Sequence, residues 1–136
     1  MNVRELLLVA SGGALGSVVR YAVSGAAQRL LVPGAGTFAS FPAGTLVVNI
    51  SGSLLIGLLA GLAESRALPG AEARLLLVTG ILGGYTTFSA FSLETLLLLR
   101  AGQATTALTS VALQVGLGVL AAFAGFTVAM AAGRAV

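Results

Sequence analysis

Apolar residues fall in four long stretches, each punctuated by small or polar residues about four positions apart, and the prolines collect in the links between them. A bilayer core needs roughly 20 apolar residues, so residues 3–31, 43–63, 73–99 and 104–132 are predicted to be membrane-spanning helices. The first link, Pro33 to Pro42, holds Gly34, Gly36, Phe38 and Phe41 and reads as a loop whose phenylalanines dip into the headgroups. The second, Glu64 to Glu72 with Arg66 and Pro69, is the charged loop, and Arg100 to Gln103 is a short connection. The pattern predicts one all-α membrane domain of four spans over residues 1–136.

The interruptions share faces. Gly12, Gly16 and Arg20 are four apart, and small residues on one helix face allow close approach of a neighbouring backbone. Arg20 has two readings, an interfacial anchor that snorkels or a vestibule cation that attracts anions. Asn49, Ser53, Gly57 and Gly61 form a second stripe, in which Asn49 serves either as an interhelical hydrogen-bonding group or as a pore-facing amide. Ser110, Gln114 and Gly118 form a third, polar at first and then bare.

The third span carries the least helical stretch, Gly83-Gly84-Tyr85-Thr86-Thr87-Phe88-Ser89-Ala90-Phe91-Ser92. Long apolar runs flank it, so a helix broken mid-membrane is expected. Unsatisfied amides and carbonyls in hydrocarbon cost several kcal/mol each, so such a break persists only inside protein or beside a wet cavity or ion. Phe88 and Phe91 are three apart and face the same way; Ser89 and Ser92 pair on the adjoining face. A packing role for the two aromatics competes with a role at the site. Glu94 is either a solvated charge or a partner for Arg20.

Composition narrows the chemistry. The 136 residues include no His, Cys, Asp or Lys; seven Arg and four Glu give a net charge of +3, and the mean hydropathy is +1.06. Nucleophilic, disulfide and His/Cys metal chemistry drop out, which disfavours an enzyme. The arginines are scattered singly, so no patch for nucleic acid exists. With both termini on one side, Arg4, Arg66, Arg74 and Arg134 stand there against Arg29 and Arg100 opposite. That bias is weak, so insertion in both orientations and antiparallel pairing of two copies is expected.

Taken together, these motifs resemble the Fluc, or CrcB-type, fluoride channels. The likeness rests on Gly12-Gly13-Ala14-Leu15-Gly16 with Arg20-Tyr21, on Gly44-Thr45-Leu46 to Asn49 and Gly52, and on the stretch from Gly83 to Ser92. It implies an antiparallel, dual-topology homodimer with two pores, in the cell membrane, and a structural, untransported Na+ held by the main-chain carbonyls of Gly83 and Thr86. It also implies that Asn49, Phe88 and Phe91 line the pore. Ser89 and Ser92 are candidate hydroxyl donors to the anion, and Ser110 begins a fourth-helix polar track continuing through Gln114, Gly118 and Ala122. The last two depart from the family pattern, having no hydroxyl. The expected function is passive, fluoride-specific export. The rivals are a small proton-coupled exporter of cationic compounds, which would need a membrane-embedded carboxylate, and a purely structural membrane subunit.

Overall fold

The computed structural model describes residues 2–33, 40–65 and 70–133. Helix α1 covers Val3–Leu31 and α2 covers Ala43–Glu64. Helix α3 takes in residues 71–85, winding as α-helix over Ala71–Arg74 and Gly83–Tyr85 and as π-helix over Leu75–Leu82 between them. Helix α4 is Phe88–Arg100 and α5 is Ala104–Gly133. Four segments, with 71–100 taken as one, are long and apolar enough to cross a membrane. The chain is a multi-pass membrane protein. Residues 34–39 of the Phe38 loop, residues 66–69 of the charged loop and Arg134 lie outside the described residues.

Local chemistry fixes the helix ends. Asn2 caps α1: its side chain accepts from the Arg4 amide (3.3 Å), and its own amide donates to Glu5 (2.9 Å). At the opposite end, Gln28 Nε2 donates to the Phe41 carbonyl (3.0 Å), while Gln28 Oε1 accepts from the Gly44 amide (3.0 Å). Gln28 thus supplies the cap that Pro42 lacks at the start of α2. Arg4 and Glu72 pair at 2.7 Å, the one ion pair among the described residues, and join the starts of α1 and α3.

The small-residue stripes meet backbone. A side chain at Gly12 would come within 2.7 Å of the Leu76 carbonyl, and one at Gly16 would collide with the Ile81 carbonyl. These positions let α1 lie directly on the π-helical part of α3. The stripe on α2 behaves likewise, with Gly57 against Ala122 and Gly61 against Phe126. Gly125 returns the contact against Leu54, so α2 and α5 interlock. A small core of Val48, Leu82 and Tyr85 sits where α2 and α3 meet. The Tyr85 hydroxyl bonds Ser51 Oγ at 2.7 Å, and Ser51 in turn donates to the Val47 carbonyl at 2.7 Å.

Candidate functional site

The helical ladder stops at two threonines. Thr86 (φ −81°, ψ 158°) and Thr87 (φ −150°, ψ 115°) are extended, and α4 restarts with Thr87 as its cap, Thr87 Oγ1 accepting from the Ala90 amide at 3.1 Å. The released backbone groups find Asn49. The Thr87 amide donates to Asn49 Oδ1 (2.9 Å), and Asn49 Nδ2 donates to the Thr87 carbonyl (3.1 Å). The side-chain amide thereby takes the position of a neighbouring strand. The remaining Nδ2 proton goes to Gln114 Oε1 at 2.7 Å, and Gln114 Nε2 approaches Ser110 Oγ at 3.4 Å. Of the two uses open to Asn49 from sequence, the interhelical bond is the one this geometry displays.

The carbonyls of Gly83, Gly84, Tyr85 and Thr86 are left without their ladder donors. The amide that would continue the ladder onto Gly83 is Thr87 N–H, which goes to Asn49. The amide that would do so for Thr86 belongs to Ala90, which goes to Thr87 Oγ1. Gly83 and Thr86 border one open-sided cavity of about 310 Å³, shared with Asn49, Ser53 and Phe88. Thr86 Oγ1 donates back to the Leu82 carbonyl (3.0 Å).

On the other side of the break lies a larger cavity of about 660 Å³, walled by Arg20, Tyr21, Gln28, Thr45, Thr87 and Glu94 among others. Thr87 lines both spaces, so the Asn49–Thr87 pairing stands between them. Glu94 does not pair with Arg20. Thr45 Oγ1 donates to Glu94 Oε1 (2.7 Å), and Glu94 Oε2 is the one buried side-chain oxygen without a partner among the described residues.

The remaining candidates separate. Phe88 and Phe91 have ring centroids 5.5 Å apart at 55°, with Phe88 78% exposed and Phe91 half-buried. Ser89 is exposed, 3.3 Å from Thr87 Oγ1, and Ser92 is exposed and donates back to the Phe88 carbonyl (2.9 Å). Ser110 is fully buried behind Gln114. Sequence reasoning gave no role to Gln28 or Thr45 and did not link Gln114 to Asn49. A lone strongly polar side chain in an apolar helix was the available signal for each.

Comparison with known proteins places this architecture. A family model described as CrcB-like protein, Camphor Resistance (CrcB), matches residues 7–126. The chain belongs to the CrcB family. Members similar to it include the fluoride-specific ion channel FluC of Rhizobium meliloti (strain 1021), 49% identical over 89% of this chain and 92% of the relative. The protein of the same name from Thermus thermophilus is 50% identical over 93% and 94%. That from Rhizobium etli is 47% identical over 91% and 94%. These CrcB relatives are named as ion channels, not as enzymes, and the matched span runs through α1 to most of α5.

Proposed function

We infer that this chain forms a passive, fluoride-specific channel in the cell membrane that lets fluoride leave the cytoplasm. The observation that carries the reading is the helix interruption at Thr86 and Thr87, held by one amide between two cavities and flanked by Phe88 and Phe91. Membership of a family whose similar members are named fluoride channels supports it.

Fluoride is small and strongly hydrated, so its path must replace water with donors that are close but individually weak, because a site that binds too well does not release. Of the candidate donors, the Ser89 hydroxyl is exposed at the interruption, whereas the Asn49 N–H, the Ser92 hydroxyl and buried Ser110 would have to leave their present partners to serve the ion. The edges of Phe88 and Phe91 supply partial positive charge in an apolar wall. Arg20 raises the local anion concentration from the wall of the larger cavity. The membrane potential then drives export at about 2.3 kcal/mol per charge per 100 mV, with no nucleotide or redox group required.

We assign the working unit as two antiparallel copies, with the interruption at mid-membrane. Both cavities are open-sided in one copy, and Tyr21 (85% exposed) and Phe88 present aromatic rings outward, so a second copy would supply the missing wall. A structural Na+ suits the interruption. Na+ is a hard cation that takes oxygen ligands, and Gly83 and Thr86 offer carbonyls deprived of their ladder amides. When bound, the ion would supply positive charge beside the carbonyls that the interruption leaves without amide donors.

The experiment is fluoride efflux from liposomes loaded with fluoride and chloride and triggered with a potassium ionophore. Rapid fluoride loss with chloride retained is the expected outcome; no fluoride flux from folded dimer in sodium buffer would overturn the reading. Glu94 is the one feature suited to the rival proton-coupled exporter, since it is an intramembrane carboxylate with a free oxygen beside a cavity. Proton movement coupled to an organic cation in the same vesicles would favour that reading.

A further inference from the structure

The Asn49 contact raises a question of competition. Thr87 fixes the orientation of this amide, because its N–H needs the oxygen and its carbonyl needs the nitrogen. One Nδ2 proton is therefore committed to Thr87, and the other points at Gln114. Whatever faces that second proton must accept it, so Gln114 presents Oε1 and not Nε2. The Gln114 oxygen, 2.7 Å from the donor on a residue only 8% exposed, stands where an anion bound to Asn49 would stand.

The other end of Gln114 is held loosely. Its Nε2 reaches Ser110 Oγ at 3.4 Å, beyond the usual range for a good hydrogen bond. Exchange of an anion for Oε1 at Asn49 thus gives up one good hydrogen bond and one poor one. A shorter hydroxyl side chain at this position could not reach Asn49 in the same way, and an apolar one could not compete for its proton.

We propose that Gln114 tunes fluoride passage by competing with the ion for the second N–H of Asn49, its side-chain oxygen returning to that proton as the ion departs. The proposal rests on the channel reading and deepens it. Gln114 weakens the site and speeds release, so its removal tightens apparent fluoride binding. Its role is that of a positioning residue acting through Asn49.

The test is the initial rate of fluoride efflux from liposomes as a function of internal fluoride, for the wild type and Gln114→Met, Gln114→Ser and Gln114→Glu. Methionine keeps the length without the acceptor, serine removes both, and glutamate keeps both and adds charge. A net hydrogen bond corresponds to about a fivefold factor. The half-saturating fluoride concentration should fall about fivefold in the Met and Ser variants and rise in the Glu variant. A merely structural role would change the number of active channels, and hence the maximal rate, without moving half-saturation. Methionine matching the wild type while serine alone shifts would mean that bulk, not competition, matters, and would overturn the proposal. Unshifted half-saturation throughout would also overturn it. Either result, with a conducting wild type, leaves the channel reading standing; a wild type that conducts no fluoride removes both. Should the Met variant fail to form dimer, Gln114→Leu, which keeps most of the bulk without the acceptor, takes its place, and an unshifted half-saturation there overturns the proposal.

Discussion

At Thr86 and Thr87 a single asparagine takes the place of the backbone ladder. Replacing Asn49 with Ala strands the Thr87 amide and carbonyl, two groups whose burial without partners costs about 1–3 kcal/mol each. The expected outcome is a thermal midpoint well below wild type in detergent, together with loss of flux. Asn49→Asp should recover little, because a carboxylate accepts from the Thr87 amide but cannot donate to its carbonyl. Thr45 offers a second test. Thr45→Val removes the hydroxyl that serves Glu94 Oε1 and leaves both carboxylate oxygens without protein donors, whereas Thr45→Ser keeps the bond. Denaturation of the two variants should differ by about 1–3 kcal/mol in favour of serine.

Among the elements, glycines divide by what lies opposite them. Gly16 faces the Ile81 carbonyl and the Tyr85 amide, so Gly16→Ala must push α1 off α3 and should destabilise the protein by about 1–3 kcal/mol. A methyl group on the Cα of Gly116 would meet nothing within 4 Å, so Gly116→Ala should be neutral or mildly stabilising, and thermal denaturation of the pair checks the contrast. Sequence spacing already put Gly12 and Gly16 on one face and Gly57 and Gly61 on another, and the four long apolar segments were legible from length alone. The partners were not. Periodicity reports which face is small but not which helix receives it, so the interlocking of α2 with α5 and the seat of α1 on α3 emerge only in three dimensions. The Gly-Gly and Thr-Thr pairs pointed to the interruption, since neither favours a helix interior. Its closure by Asn49, and the tie from Asn49 to Gln114, depended on side-chain reach across 38 and 65 positions, which no local pattern encodes.

For the molecule as a whole, charge is the element with the least margin. Four arginines are counted on the side of the N-terminus against two opposite, so the bias that orients the chain is small. In the proposed antiparallel assembly, both orientations are needed. The chain has no cysteine, so Ala101→Cys, at an exposed position, gives a single label site. Membrane-impermeant thiol reagent should label part of the population from each face of the membrane. Two added arginines in the 101–103 link should drive the chain into one orientation and abolish fluoride flux, and co-expression with a copy biased the other way should restore it. Labelling from one face only in the unmodified protein would argue against dual insertion.

The π-helical run Leu75–Leu82 carries a further consequence for how this chain tolerates change in length. Such a run arises where a helix accommodates surplus residues without breaking, since each hydrogen bond spans one residue more than in an α-helix. Removing one leucine from 75–77 would let the ladder tighten instead of tearing it. Because the wider turns hold the surplus residue, that tightening would take up the deletion within the run, leaving Glu72 facing Arg4 and the interruption at Thr86 in place. Helix α3 therefore has a built-in point of slack, where a one-residue deletion is absorbed locally and is not passed on to either end.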